Sequence, residues 1–460
     1  MTPYSSPTLM PGSSRGSVRS ISWLTATCLV VANMVGTGVF TSLHFQVGSL
    51  PSGFTLLMLW LLGGLCALCG ALAYGELAAA LPRSGGEYHY LSAIYHPAVG
   101  FLAGWISASV GFAAPVALAA MAFGTYFASM FPQVPPLAPS LLIVAIVTAI
   151  HLRGGGLGSF FQNAATSLKV LLILALIIAG LGATHHQPVR FLPQPIDATL
   201  LTSTPFAISL VYVMYAYSGW NASTYIVGEM RDPGRDIPRS LGLGTLIVIA
   251  LYLALNAVFL LTAPMSELGE KMEVGHVAAS HIFGGAGGRI MAGLICAGLI
   301  STISAMTWVG PRVTMAMGED CRALGWLAYK SEKRRTPVTA ILMQSALVML
   351  LLITAKFEAV LTYAQFSLTF CSFMTVLGVF VLRVKQPDLP RPYRTWGYPF
   401  TPLLFLSVSA WMLWHILHSH PAESLCGLGT MLLGLAVYFL SPTRPPLVPR
   451  FENGSADTRL

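Results

Sequence analysis

Two stretches interrupt long apolar runs with small and polar residues. The first reads VVANMVGTGVFTS, with Gly36, Thr37 and Gly38 near its middle, and the second reads VYVMYAYSGWNASTYIVGE, with Ser218 and Gly219 near its middle. A helix that stops and restarts leaves unpaired N–H groups where its second half begins and unpaired C=O groups where its first half ends. Such groups bind the charged ends of a ligand without a charged side chain.

The two breaks offer groups of opposite polarity. The N–H groups at the first break predict a carboxylate site, because the helix dipole is also positive there. They belong to Thr37, Gly38 and Val39. The carbonyls at the second break predict an ammonium site, and they belong to Tyr215, Ala216 and Ser218. A carboxylate beside an ammonium describes an α-amino acid, so the two breaks together predict recognition of that ligand class.

Side chains around the second break are further candidates for the site. Trp220, Tyr215 and Tyr217 flank the break, and each either lines the site or serves as a packing or interfacial aromatic residue. Asn221 either fixes the unwound segment by side-chain hydrogen bonds or contacts substrate. Apart from Lys169, no charged residue is predicted deep within a span, since Glu76, Glu229 and Glu358 fall near span ends. A cationic ligand therefore lacks an obvious partner, which favours a small neutral substrate.

Lys169 lies about ten residues into a predicted span, roughly 15 Å deep. A lysine near the bilayer midplane is costly, and an intramembrane charge indicates function by default. We expect its ammonium to replace a sodium ion and to brace the first break against Ser301 or Thr302. The alternative is a structural lysine capped by carbonyls. Loss of its proton would also allow coupling to a proton gradient.

The composition requires a bilayer around these residues. Of 460 residues, 55% are hydrophobic and 9% are charged, which a soluble fold does not accommodate. About 20 apolar residues cross a bilayer as a helix, and this criterion predicts an all-α integral membrane protein with twelve transmembrane helices. The predicted spans are 21–47, 54–80, 98–130, 138–152, 158–182, 204–229, 239–262, 287–317, 337–355, 358–382, 400–418 and 424–441.

Basic residues predict the orientation of these spans. Twenty of the 25 lysines and arginines fall on the side of the termini, so both termini are expected in the cytoplasm. This bias also accounts for the net charge of +8 without nucleic acid as a partner. Residues 1–20 and 442–460 are predicted to be cytoplasmic tails, the first of them disordered. The short tails favour a bacterial inner membrane.

The breaks also predict an internal repeat. Both occur at matching places five spans apart, as expected for two inverted repeats over residues 21–182 and 204–382. Spans eleven and twelve, residues 400–441, are then accessory. Because each repeat has an odd number of crossings, the second repeat enters the membrane in the opposite orientation. The same arrangement of helices can then form a gate on the outer side and a gate on the inner side.

Four stretches resemble the amino acid-polyamine-organocation superfamily, and most closely its L-type amino acid transporter and bacterial permease branch. They read NMVGTGVF, YGELAAALPRSGGEYHYL, YSGWNASTYIVGEMRDPGRDIPRS and GPRVTMAMGED. The resemblance covers roughly residues 20–440 and implies a five-plus-five inverted-repeat fold, like that of the leucine transporter, with substrate between spans one and six. It also implies that Tyr215 closes over substrate as an outer gate and that Lys169 replaces sodium.

The resemblance favours secondary active transport of amino acids by alternating access, as sodium-independent exchange or as proton-coupled uptake. A polyamine or nucleobase permease or a substrate sensor is the alternative within this fold. A channel is another, whereas the sequence has no constellation typical of an intramembrane enzyme. No metal or other cofactor is implied. Animal relatives pair with a glycoprotein through an external cysteine after span three, but residues 131–139 contain no cysteine, so no disulfide-linked heavy chain is expected.

Overall fold

A computed structural model describes residues 21–83, 85–153, 159–331 and 336–441. Both predicted tails, residues 1–20 and 442–460, lie outside these ranges. The helices of the first predicted repeat are α1 (Trp23–Met34), α2 (Gly38–Thr41), α3 (His44–Val47), α4 (Gly53–Ala80), α5 (Gly86–Ile94), α6 (Pro97–Ile106), α7 (Ala113–Met130), α8 (Leu137–Leu152) and α9 (Ser159–Leu181). A π-helical turn, Ser107–Gly111, joins α6 to α7.

The remaining helices follow the first predicted repeat along the chain. They are α10 (Pro195–Leu201), α11 (Thr204–Ala216), α12 (Pro233–Thr262), α13 (Met265–Glu270), α14 (Val274–Asp320), α15 (Val338–Thr354), α16 (Phe357–Lys385), α17 (Phe400–Ser419) and α18 (Pro421–Leu440). Two 3₁₀ segments, Ala222–Glu229 and Arg322–Ala328, follow α11 and α14. Within the described ranges the chain forms no sheet; Ile21 and Met230 form an isolated bridge.

This architecture confirms the prediction of an all-α membrane protein with interrupted first and sixth spans. Among the described residues, eight helical segments are long and apolar enough to cross a membrane, and the bent pair α10–α11 adds a ninth. Shorter apolar helices coincide with the predicted fourth, fifth and ninth spans. The count of twelve and the division into two repeats remain predictions.

The interruptions lie where the sequence places them. The first break is residues 35–37, between α1 and α2, and the second break is residues 217–221, between α11 and the 3₁₀ segment Ala222–Glu229. Gly219 adopts a φ of 97°, which a residue with a Cβ rarely adopts. α12 packs along both α1 and α4, while α14 packs along α7 and α9, so the breaks lie inside the helix bundle.

A buried ion pair fixes the end of α4 that is predicted to face the cytoplasm. Glu76 accepts hydrogen bonds from the Arg383 guanidinium on α16 at 2.7 and 2.8 Å. The same carboxylate accepts the backbone N–H and the hydroxyl of Thr395, each at 2.7 Å. Since these donors satisfy both oxygens, Glu76 joins α4, α16 and the α16–α17 linker at one point.

Candidate functional site

The two breaks touch each other through their backbones. A Cβ added to Gly38 would lie 2.4 Å from Cα of Ala216, closer than atoms approach. A Cβ added to Gly219 would lie 2.9 Å from the carbonyl carbon and oxygen of Asn33 at the end of α1. Glycine at both positions therefore permits the close approach that brings the two predicted half-sites together.

The first break presents the donors that the sequence predicts. Among the described residues, the backbone N–H groups of residues 37–39 donate no hydrogen bond, whereas the Gly36 N–H faces the Tyr252 hydroxyl. The Thr37 hydroxyl is buried and has no hydrogen-bond partner among the described residues. Buried polar groups are normally paired, so a cluster of unpaired donors fits a ligand that accepts hydrogen bonds, such as a carboxylate.

The second break differs from its prediction in one respect. The carbonyls of Tyr215 and Ala216 are not unpaired, because Tyr215 accepts the Ser218 N–H at 3.0 Å and Ala216 accepts the Tyr252 hydroxyl at 3.2 Å. The Ser218 carbonyl accepts no hydrogen bond among the described residues. The chain turns back on itself after α11, and this turn supplies the first of these donors. Each carbonyl keeps a second lone pair, so an ammonium group remains a suitable ligand.

Tyr252 on α12 joins the two breaks and was missed from the sequence. Its hydroxyl lies 2.6 Å from the Met34 carbonyl and 3.2 Å from the Ala216 carbonyl, which end α1 and α11 respectively. The side chain is fully buried and packs against Trp60 and Tyr217. One phenol therefore holds the ends of both first half-helices.

Tyr252→Phe is expected to slow amino acid uptake by about three- to tenfold, since a typical intramolecular hydrogen bond contributes about 1 kcal/mol. The ring and its packing remain, so the variant reports on the hydroxyl alone. Initial uptake rates in liposomes measure the effect, with Tyr329→Phe as control because Tyr329 is exposed. Equal rates for Tyr252→Phe and wild type would contradict this role.

Contacts on the other side of the first break hold its second half. The Tyr126 hydroxyl on α7 lies 2.8 Å from the Phe40 carbonyl and accepts the Gly275 N–H of α14 at 3.1 Å. The Ser42 hydroxyl donates to the Tyr212 carbonyl of α11 at 3.1 Å. Because α2 has only four residues, these contacts rather than its own helical bonds fix its position.

Lys169 is buried on α9 and points to α14. Its Nζ donates to the Thr302 hydroxyl at 3.3 Å, and its stem lies against Gly298, where a Cβ would come within 2.9 Å of its Cγ. Ser301, the other expected partner, has a buried hydroxyl without a partner among the described residues. The lysine thus joins the fifth and eighth spans, and the described contacts do not include one from its ammonium to the first break.

The aromatic candidates separate into different environments. Trp220 packs edge-on against Tyr74 of α4 and Phe405 of α17, and Tyr217 packs against Trp60 and Tyr252, so both have packing roles. Tyr215 is buried on α11 just before the second break. The backbone carbonyl of Asn221 accepts the Thr224 hydroxyl at 2.7 Å, which stabilises the start of the 3₁₀ segment.

Comparison with known proteins shows which family has this sequence. The family model described as "Amino acid permease" matches residues 21–425. The chain belongs to the amino acid permease family. It is 28% identical to the serine/threonine exchanger SteT of Bacillus subtilis (strain 168), over 92% of this chain and 97% of that protein. It is 26% identical to the b(0,+)-type amino acid transporter 1 of Mus musculus, over 92% of this chain and 88% of that protein.

A third relative of the permease is the human large neutral amino acids transporter small subunit 2. The two are 27% identical over 93% of this chain and 82% of the relative. The matches run through both breaks, α9 and α14. The predicted membership of the amino acid-polyamine-organocation superfamily is thereby confirmed, and the permease is a multi-pass membrane protein.

The permease also buries a carboxyl group that was missed from the sequence. Glu87 on α5, between spans two and three, accepts hydrogen bonds from the hydroxyl groups of Tyr74 and Ser372. Tyr74 in turn packs against Trp220 of the second break. Glu87 lies in the first turn of α5 and is buried, so this carboxyl is connected to the second break through Tyr74. Burial raises the pKa of the Glu87 carboxyl, and the two hydroxyl donors only partly oppose that effect.

Glu87→Gln is expected to stabilise the permease, and the gain should grow as the pH rises from about 4.3, the pKa of a glutamate in the unfolded chain, toward the raised pKa of Glu87 in the fold. In the unfolded chain a glutamate ionises at a pKa of about 4.3, whereas in the fold its pKa is higher, so ionisation costs wild type stability above the unfolded value. Glutamine removes that cost and still accepts the Tyr74 hydrogen bond. Thermal unfolding across this pH range measures the difference. A difference between the proteins that is constant with pH would contradict the raised pKa.

Proposed function

We propose that the permease is a sodium-independent exchanger of small neutral L-amino acids that works by alternating access. The observation that best supports this is the direct contact of the two breaks, Gly38 against Ala216, beside the N–H groups of residues 37–39, which have no partner among the described residues. In the proposed site these N–H groups and the Thr37 hydroxyl bind the substrate carboxylate. The carbonyls of Tyr215, Ala216 and Ser218 bind its ammonium group.

Sodium independence rests on the buried Lys169. Its ammonium, which donates to Thr302 at 3.3 Å, brings a positive charge between α9 and α14. A sodium ion beside it would meet electrostatic repulsion in a region of low dielectric. Lys169 therefore takes the structural role that a bound cation would have, and Ser301 and Thr302 are its proposed partners.

Neutral substrates are favoured by the polar groups around the breaks. Glu87, the buried carboxyl nearest to them along the described contacts, already accepts two hydroxyl donors and is separated from the second break by Tyr74. Relatives named as a serine/threonine exchanger and as a large neutral amino acids transporter agree with this substrate class. Their names also favour amino acids over polyamines or nucleobases.

The proposal also includes the orientation of the protein in its membrane. The distribution of basic residues favours cytoplasmic termini, and the bacterial relative is consistent with an inner-membrane location. The two inverted repeats, residues 21–182 and 204–382, supply the moving halves. We propose that the protein works without a disulfide-linked heavy chain, since residues 131–139 contain no cysteine.

Uptake into liposomes tests the proposal. Wild-type protein is reconstituted, and labelled L-alanine or L-leucine uptake is followed with and without internal amino acid, sodium and a pH gradient. The expected result is stereoselective uptake that requires internal amino acid and ignores sodium. Sodium-driven uptake would overturn the role of Lys169, and absence of amino acid uptake would overturn the substrate class.

Proton-coupled uptake is the second candidate, and buried titratable groups favour it. Lys169 and Glu87 are both buried beside mobile elements of the proposed cycle. Uptake into liposomes without internal amino acid, driven by an inward proton gradient and abolished by a protonophore, would establish this mechanism instead of exchange.

A further inference from the structure

A groove of about 370 Å³ opens on the side of the protein that is predicted to face the cytoplasm. Its walls are the start of α12 and the α16–α17 linker, and its lining includes Arg235, Arg239, Tyr393 and Trp396. Leu72 of α4 also lines it. The groove lies away from both breaks, so the proposed transport function does not account for it.

The two arginines of the groove have no partner among the residues that the structure describes. Both side chains are exposed, and neither guanidinium forms an ion pair or hydrogen bond with another described residue. No acidic residue lines the groove. Asp236 is buried and accepts the Asp232 N–H, and one oxygen of the exposed Asp232 carboxylate lies beside Gly234 of the groove, 3.6 Å from the position of a Cβ added there. With two arginines against this one exposed acid, the groove still has an excess of positive charge and fits an anion.

The linker holds two aromatic residues beside these arginines. Thr395 is fixed by its two hydrogen bonds to Glu76, and the Trp396 N–H donates to the Tyr393 hydroxyl at 3.3 Å. Trp396 is nevertheless 79% exposed. Exposure of so large an apolar ring to water is unfavourable in free energy. Tryptophan and tyrosine are enriched at the headgroup level of membranes, where their rings are partly solvated by lipid.

An apolar track continues from the groove toward the predicted bilayer interior. On α12, Leu243, Leu246 and Ile247 are exposed and follow Arg239 at four, seven and eight residues, so all four share one face. On α4, exposed Leu65 precedes Leu72 by two turns. Since α4 packs along α12, the exposed leucines of both helices lie on neighbouring helices.

We propose that the groove binds one anionic phospholipid of the cytoplasmic leaflet. Its phosphate pairs with Arg235 and Arg239, since guanidinium groups bind phosphate through paired N–H donors. Its headgroup lies against Trp396, and its acyl chains follow the apolar track over α4 and α12. Basic pockets at the cytoplasmic ends of membrane helices are typical sites for such lipids. Bound lipid would join α12 to the α16–α17 linker.

Native mass spectrometry of the full chain in detergent tests this site. Dioleoyl phosphatidylglycerol is titrated in parallel with dioleoyl phosphatidylcholine, which has the same acyl chains and no net charge. The expected result is one phosphatidylglycerol per protein at concentrations about tenfold below those required for phosphatidylcholine. Equal binding of the two lipids would overturn the proposal without the need for any variant.

Paired substitutions assign the binding to the groove. Arg235→Gln with Arg239→Gln is expected to weaken phosphatidylglycerol binding by about tenfold. Arg235→Lys with Arg239→Lys should retain most of it. The matched control is Arg83→Gln with Arg153→Gln, which removes the same charge from exposed positions on the same predicted side. Equal weakening by this control would show general surface attraction and overturn the site.

A free anion is the last alternative for the two arginines. Inorganic phosphate at 10-fold excess over lipid is expected to leave phosphatidylglycerol bound, because the acyl chains contribute apolar contacts that phosphate lacks. Displacement of the lipid by inorganic phosphate would overturn the lipid assignment. Uptake assays are not required for these readouts, so a failure of the proposed transport function would not affect them.

Discussion

Lys169→Ala is expected to lower amino acid uptake at least tenfold while the protein remains folded. Lys169 joins α9 to α14 through Thr302, and hydrogen bonds to charged groups contribute about 1.5–3 kcal/mol. Each 1.4 kcal/mol corresponds to a factor of ten in an equilibrium constant. Without the ammonium, the two helices lose the contact that we propose replaces a bound cation. Initial uptake rates of labelled L-alanine in liposomes measure the effect.

The control for this experiment is Lys271→Ala, because Lys271 is an exposed lysine between α13 and α14. Size-exclusion chromatography and thermal unfolding establish that both variants are folded. Thr302→Val is expected to impair uptake in the same direction as Lys169→Ala, since it removes the acceptor of the lysine. Wild-type uptake by Lys169→Ala would mean that the lysine is only a tolerated structural charge.

Gly38→Ala is expected to reduce uptake and substrate binding by more than tenfold. The added methyl group would lie 2.4 Å from Cα of Ala216 and 3.0 Å from its backbone nitrogen. Neither atom belongs to a flexible side chain, so the two breaks must move apart. Such a movement separates the carboxylate site from the ammonium site, and a fixed α-amino acid cannot reach both.

Gly48→Ala provides the matched control for Gly38→Ala. It makes the same substitution one residue beyond the same predicted span, just after α3, and no atom lies within 4 Å of the position of its Cβ. We expect near wild-type uptake from this control. Binding is measured separately by the thermal shift that L-alanine induces, so that loss of substrate binding is distinguished from loss of movement. Wild-type binding by Gly38→Ala would contradict the shared site.

The spans and both breaks were predictable from the sequence because they depend on local composition. A long apolar run with a glycine-containing interruption identifies a broken helix before its neighbours are known, as at residues 36–38 and 218–219. The contact between Gly38 and Ala216 was not predictable in detail, since it depends on how distant spans pack. The resemblance to a known family reduced the number of ways in which the spans were expected to pack.

The residues missed from the sequence act over long separations. Tyr252 occurs in a predicted span without any motif, and its role depends on two carbonyls that lie 36 and 218 residues away. A tyrosine one turn from Asn256 in an apolar span was the available signal. Glu87 lies between the predicted second and third spans, in a stretch quoted only for its resemblance to the family, and its hydrogen bonds come from Tyr74 and from Ser372, 285 residues away. The charge of a glutamate alone does not predict that its carboxyl group is buried.

The 3₁₀ segment Ala222–Glu229, which follows the second break, can change its length by changing its helical pitch. A 3₁₀ helix rises about 2.0 Å per residue and an α-helix about 1.5 Å, so these eight residues would shorten by about 4 Å if they wound into an α-helix. The segment is interrupted at Ile226, where the backbone is not helical. Just beyond its far end, the Arg231 N–H donates to the carbonyl of Ile21, which lies two residues before α1. A change from the 3₁₀ to the α-helical pitch would therefore pull on the start of α1.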